Sequence, residues 1–156
     1  MKINERLYAL YKANAETSYV NHRLYRLLYS EDLYVQAYEN IKANAGILTP
    51  GVSYYTADGI DLRRIRKLIT KLKDESYRPK PCRRVYIPKA NGKLRPLGLP
   101  DFEDKLVQEA MRIILEAIYD SSEGPTFLDS SYGFRKELGC HSALKAVYEN
   151  FQYCAW

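Results

Sequence analysis

The sequence predicts an α+β fold, mostly helical, with one β-hairpin set among the helices. Three observations carry this. Apolar residues recur at helical spacing in five segments, three of which open on a capping residue, Ser30, Asp61 and Asp101. A single pair of short alternating runs flanks an Asn-Gly dipeptide, the strongest short-range hairpin signal. The 156 residues suffice for one domain with its own core and fall short of two.

The first helical segment carries Tyr19, Val20, Leu24, Leu27 and Leu28, with His22, Arg23 and Arg26 on its other faces. A second helix is expected to follow Ser30, with Glu31 and Asp32 in its first turn, and to run through Val35, Ala37, Tyr38 and Ile41 to a stop near Gly46. Residues 46–61 then read as loop, because Pro50-Gly51 and Asp58-Gly59 are both turn pairs. Asp61 caps the next helix, whose apolar stripe is Leu62, Ile65, Leu68, Ile69 and Leu72. Arg63, Arg64, Arg66, Lys67, Lys71 and Lys73 occupy the rest of its circumference. The prolines at 79 and 81 force an extended path. Val85 and Ile87 then alternate with Arg84 and Tyr86 up to Asn91-Gly92, and residues 94–99 return; Pro88 and Pro96 confine the pair to an edge.

Asp101 is expected to cap a helix with Leu106, Ala110, Ile113, Ile114, Ala117 and Ile118 on one side, with Glu103 and Asp104 at its positive end. A two-turn loop around Phe127 and Tyr132 leads to a last helix, about residues 141–149, with Ala143, Leu144 and Val147 on its inner side. Residues 151–156 read as the start of a buried strand. The chain is taken as a single domain, with a helical extension and loop over residues 1–60 and a second part over residues 61–156.

Charge is segregated. Residues 62–95 hold thirteen Lys or Arg against two acids, within a chain whose net charge is only +5. Such a block suits a polyanion, because neutralising phosphates releases counterions and supplies affinity without reading sequence. Tyrosine is abundant, 15 against 4 Phe and 1 Trp, which fits a half-buried surface that meets a polar partner. Cys82, Cys140 and Cys154 lack CxxC spacing, and with only His22 and His141 to join them they argue against zinc. No secretory or membrane-spanning run is present in the sequence, so free thiols and a cytoplasmic setting are expected. No GxSxG elbow, Walker loop or HExxH is found, and a helix N-terminus accounts for Asp101, Glu103 and Asp104 without a metal.

Three motifs in order carry a resemblance. "RRVYIPKANGKLRPLGLPDFEDKLVQ", residues 83–108, resembles the fingers hairpin and following helix of reverse transcriptases encoded by bacterial group II introns, with the pattern R..xIPKxxGKxRPLGIPxxxDKxxQ. "FLDSSYGFRKELGCHSAL", residues 127–144, is similar to that family's next block, F.xxSYGFRxxxxxHxAL, and "GILTPGVSYYTADGID", residues 46–61, to its earlier NxGxxTPGxDGxTxDG segment. The resemblance implies the fingers part of a right-hand polymerase, with residues 61–156 reaching the start of a truncated palm. It implies that Lys89 and Arg95 hold the triphosphate of a dNTP, and that Arg83, Lys93, Tyr132, Phe134 and Arg135 contact RNA or template. Arg63, Arg64, Arg66 and Lys67 of the basic helix are expected to bind intron RNA.

The family uses Mg2+, and two-metal chemistry needs carboxylates that this chain is expected to lack, so it is expected to be inactive alone. A stand-alone RNA-binding module, or a fragment of a retron, diversity-generating or CRISPR-associated reverse transcriptase, are the alternative readings. Apolar surface at Val147, Phe151 and Trp156 makes self-association an expectation. Two details stand apart from the family pattern. A two-residue turn at Asn91-Gly92 would put Lys89 on the opposite face from Lys93 and Arg95, so either the loop is longer or bulged and Lys89 turns inward, or the nucleotide lies across the hairpin's tip. Ser53-Tyr54 stands where the family has Asp-Gly.

Overall fold

The computed structural model describes residues 2–16, 18–44, 46–120, 127–135 and 137–151. Its α-helices are α1 (Ile3–Ala13), α2 (Glu31–Lys42), α3 (Leu62–Lys73), α4 (Phe102–Tyr119) and α5 (Cys140–Phe151), and a 3-10 helix spans Leu24–Tyr29. Strands β1 (Arg83–Pro88) and β2 (Leu94–Leu99) form one antiparallel pair between α3 and α4. The fold is thus mixed, helical with a two-stranded hairpin.

The core follows from the helical stripes. Ile65, Leu68, Ile69 and Leu72 of α3 meet Leu33, Tyr34 and Ala37 of α2 and the long apolar face of α4, including Phe102, Leu106, Ala110 and Ile114. Ile3 and Leu7 of α1 and Leu27 and Leu28 of the 3-10 helix close the same cluster, so the core runs across residue 60. Each large aliphatic or aromatic side chain sealed there contributes about 1.5–3 kcal/mol. Phe102 is 1% exposed and meets Tyr38 edge-on, with ring centroids 6.4 Å apart. Among the described residues, no helix is long and apolar enough to cross a membrane.

Several expectations change here. The helix expected over 19–28 is only the 3-10 helix: Tyr19 and Val20 are exposed outside it, and Arg23 has a left-handed φ of 57°. Spacings of three and four suit either helix type. What decides is the pair Asn14 and Asn21, whose side-chain amides bond each other at 3.0 and 2.6 Å and tie the chain off after α1. In α2, Val35 is exposed and Leu33 and Tyr34 take the core positions. No residue of α5 is buried, so Leu144 and Val147 face no packed interior. Phe151, expected to open a strand, is the last residue of α5; residues 152–156, with Cys154 and Trp156, lie outside the described residues, as do residues 121–126 of the preceding loop.

Candidate nucleic-acid interface

The hairpin register realises the longer-loop alternative and brings its cations to one face. Arg83 pairs with Leu99 and Pro88 with Leu94, and the next pair is closed by the Lys89 amide donating to the Lys93 carbonyl at 2.8 Å. The connection is therefore three residues, Ala90-Asn91-Gly92, with Gly92 at φ 77° and its amide donating to the Lys89 carbonyl. This is the three-residue turn with a left-handed glycine, and the extra residue shifts the alternation by one. Cross-strand partners share a face, so Lys89, Lys93 and Arg95 lie together with Arg83, Val85, Ile87, Leu97 and Leu99. Lys89, Lys93 and Arg95 are exposed at the tip, and no acid pairs with them among the described residues. Arg83, Val85 and Leu99 at the base are half-buried on the side toward the helices.

The cations of α3 divide into three groups. Ile65, Leu68, Ile69 and Leu72 point inward, so the helical repeat sends Arg63 and Lys67 directly outward, with Lys71 beside them. Arg64 is committed to the fold: its Nε donates to Glu103 at 3.0 Å, and its guanidinium lies over the rings of Tyr55 and Phe102. Arg66 donates to Glu31 at 2.9 Å, and Lys73 sits over the Tyr29 ring. The expected cap at Asp61 is present, its carboxylate accepting from the Arg64 amide at 2.8 Å.

Both basic elements are fastened to the first turn of α4. Asp101 occupies the N-cap position and yet caps nothing. Its carboxylate instead accepts from the Ser53 amide at 3.1 Å, the Ser53 hydroxyl at 2.5 Å and the Lys80 ammonium at 2.8 Å. Burial pushes its pKa up, but Lys80 and Ser53 outweigh burial and hold it at about 2. The buried Asp104 accepts from the Tyr77 hydroxyl and from the Lys80 amide at 3.1 Å. Lys105 donates to the carbonyls of Gly46 and Thr49 at 2.9 and 2.8 Å, and burial lowers its pKa. Arg83, expected to touch template, donates from Nε to the Pro50 carbonyl at 3.0 Å. Loop 46–53, segment 77–83 and α3 are thereby seated on one helix end.

The departure at Ser53-Tyr54 is local. Tyr54 holds a left-handed φ of 58° and is 74% exposed. A side chain there costs about 1 kcal/mol relative to an ordinary conformation. Tyr54→Gly is expected to stabilise the chain by about 0.5–1 kcal/mol. A urea midpoint that stays put or falls would show that the tyrosine ring makes up the difference.

The later motif residues sit at the other end of α4. Arg135 is held by Asp120, with Nε and Nη2 at 2.9 and 2.8 Å from Oδ1, and lies over the Phe127 ring. Phe134 is fully exposed at a left-handed φ of 60°, and Tyr132 is half-buried. Charge counting along the chain also missed a cleft of about 520 Å3 lined by Arg6, Tyr19, His22, Arg23, Arg26 and Tyr29. Its cations are scattered through residues 6–26 and line one cleft because α1 and the 3-10 helix both pack on α4. The seating residues Ser53, Lys80 and Asp101 were likewise invisible one at a time; the acids crowded directly after the basic block were their signal.

The chain is 50% identical over 135 residues to the group II intron-encoded protein LtrA of Lactococcus lactis subsp. cremoris, covering 86% of this chain and 22% of that protein. It is 42% identical over 138 residues to an uncharacterized 91 kDa protein in the cob intron of Schizosaccharomyces pombe, covering 88% of this chain and 17% of that protein. It is 39% identical over 128 residues to protein YkfC of Escherichia coli, covering 80% of this chain and 32% of that protein. The chain thus spans between 17% and 32% of the length of these relatives. No protein-family model matches it.

Proposed function

We propose, on the premise that this chain is similar over most of its length to one part of the group II intron-encoded proteins, that it is the fingers part of a reverse transcriptase and maturase. In this role it binds intron RNA and template and holds the triphosphate of an incoming dNTP at Lys89 and Arg95. The observation that carries the assignment is the hairpin register, which gathers Lys89, Lys93 and Arg95 on one face. Like charges directly opposite on paired strands are destabilising, and Lys89 and Lys93 face each other in this way where the strands meet the turn, joined by the Lys89 amide and the Lys93 carbonyl. A polyphosphate lying over the tip turns that repulsion into attraction, and phosphoryl transfer depends on this kind of cationic positioning.

RNA is assigned to Arg63 and Lys67, with Lys71, on the outward side of α3, and to the exposed Phe134 near Tyr132. Arg64, Arg83 and Arg135 support this surface from within, through the ion pairs and carbonyl contact that hold the elements in place, while the exposed Arg66 pairs with Glu31 at the surface. The cleft at Arg6, His22, Arg23 and Arg26 extends the cationic surface to the N-terminal helices. Mg2+ enters with the family's chemistry. Among the described residues no three His, Cys, Asp or Glu side chains form a group able to hold a metal ion, so no step is assigned to one here. The role proposed for this chain is grip and placement.

Titration of the chain with a dNTP and with RNA tests the assignment. Arg95→Ala and Lys89→Ala should each weaken dNTP binding about tenfold or more, since a charge-assisted hydrogen bond is worth about 1.5–3 kcal/mol, and should leave RNA affinity nearly unchanged. Placed in an active polymerase, Arg95→Ala should raise the nucleotide KM. Lost RNA affinity with dNTP binding intact would overturn the triphosphate assignment.

A further inference from the structure

The acid that seats the hairpin stands at the start of α4 and faces a hydroxyl of the loop. The hydroxyl is that of Ser53, and the carboxylate facing it belongs to Asp101. The Asp101 side chain is 2% exposed, leaves its own helix uncapped, and joins two segments, Ser53 from the loop and Lys80 from the approach to the hairpin. The geometry admits one anion. With none, the Lys80 ammonium and the Ser53 amide lose their acceptor; with one on each side, two carboxylates would crowd a contact now 2.5 Å across.

We infer that Asp101 is a positioning residue, whose carboxylate locks loop 51–53 to segment 80–83 and sets the seat of the hairpin. Lys80 is three residues before Arg83, the first residue of β1, so a shift at Lys80 passes directly into the strand that carries Lys89 at its end. Gly51 packs against the backbone of Asp101, which leaves the loop little freedom to slide along the helix. That the seat matters for gripping a triphosphate rests on the proposed function; that Asp101 sets it does not.

The test compares the parent chain with Ser53→Asp, Asp101→Ser and the double exchange, reading amide hydrogen exchange at residues 51–53 and 80–83 against core amides of α2 and α4. Each single change should speed exchange in the two segments about tenfold or more, and the core by less. The double exchange should return both segments to within about threefold of the parent. Segments that exchange in the double variant as fast as the two single effects combined would overturn the inference. If Asp101→Ser fails to fold, Asp101→Asn replaces it: selective loss of protection in the two segments supports the inference, and uniform loss or no loss overturns it. Binding of RNA and of dNTP by the same proteins is read separately. If the parent binds neither, the proposed function fails while the hydrogen-exchange result still decides the role of Asp101.

Discussion

Gly51→Ala should destabilise the chain by about 2–4 kcal/mol, at or above the usual cost of overpacking. A Cβ on Gly51 would lie 2.2 Å from Asp101 Oδ1 and 2.7 Å from both Asp101 Cα and Asp101 N. Two of those atoms are backbone, at the start of a helix whose apolar face is the centre of the core, so they cannot swing aside as a lysine tip would. Relief requires the loop to lift away, and with it the Ser53 bonds to Asp101 and the Pro50 carbonyl that receives Arg83. Gly46→Ala is the matched control, because a Cβ there meets nothing within 4 Å; it should change stability by no more than about 0.5 kcal/mol. Urea unfolding followed by circular dichroism checks both. Equal midpoints for the two variants would mean that the loop is not clamped on α4.

Replacing Arg63, Lys67 and Lys71 together with alanine should flatten the salt dependence of RNA binding, lowering the slope of log affinity against log salt by about 2–3. These three lie on the solvent side of α3, opposite Ile65, Leu68, Ile69 and Leu72, so the triple change should leave stability nearly untouched. Arg64→Ala is expected to do the reverse. Its guanidinium is committed to Glu103 and two aromatic rings, and losing it should lower stability with little effect on the slope. Fluorescence anisotropy over a salt series measures the slope. An unchanged slope in the triple variant would remove the outward face of α3 from the interface.

The helix that carries these cations was legible from sequence because two local rules coincide in it. Asp61 supplies an acceptor for an orphan amide, and Ile65, Leu68, Ile69 and Leu72 repeat at the period of a helix. The 3-10 helix at Leu24–Tyr29 was misjudged because apolar residues three and four apart satisfy both helix types, and the Asn14–Asn21 pair that settles the matter joins residues whose meeting no periodicity reveals. The motifs single out Lys89 and Arg95, whereas a two-residue turn would place them on opposite faces and only a longer or bulged loop brings them together. A single residue more in the turn, with Gly92 left-handed, brings them together.

Local chemistry along the chain was enough for the fold class, the starts of α2, α3 and α4, the cap at Asp61, the basic block and the hairpin, because each depends on neighbours within a few positions; it marked no bounds for α1. Tertiary packing decided which cations are free and which are spent on structure, since Arg64 and Glu103, and Arg83 and Pro50, are far apart in sequence and meet only when α3 and the loop close on α4. It also turned the acid at position 101 from a helix cap into the fastening between loop and hairpin. A buried carboxylate goes to the partners that best replace its lost water, and at Asp101 those are Lys80 and Ser53 rather than its own helix.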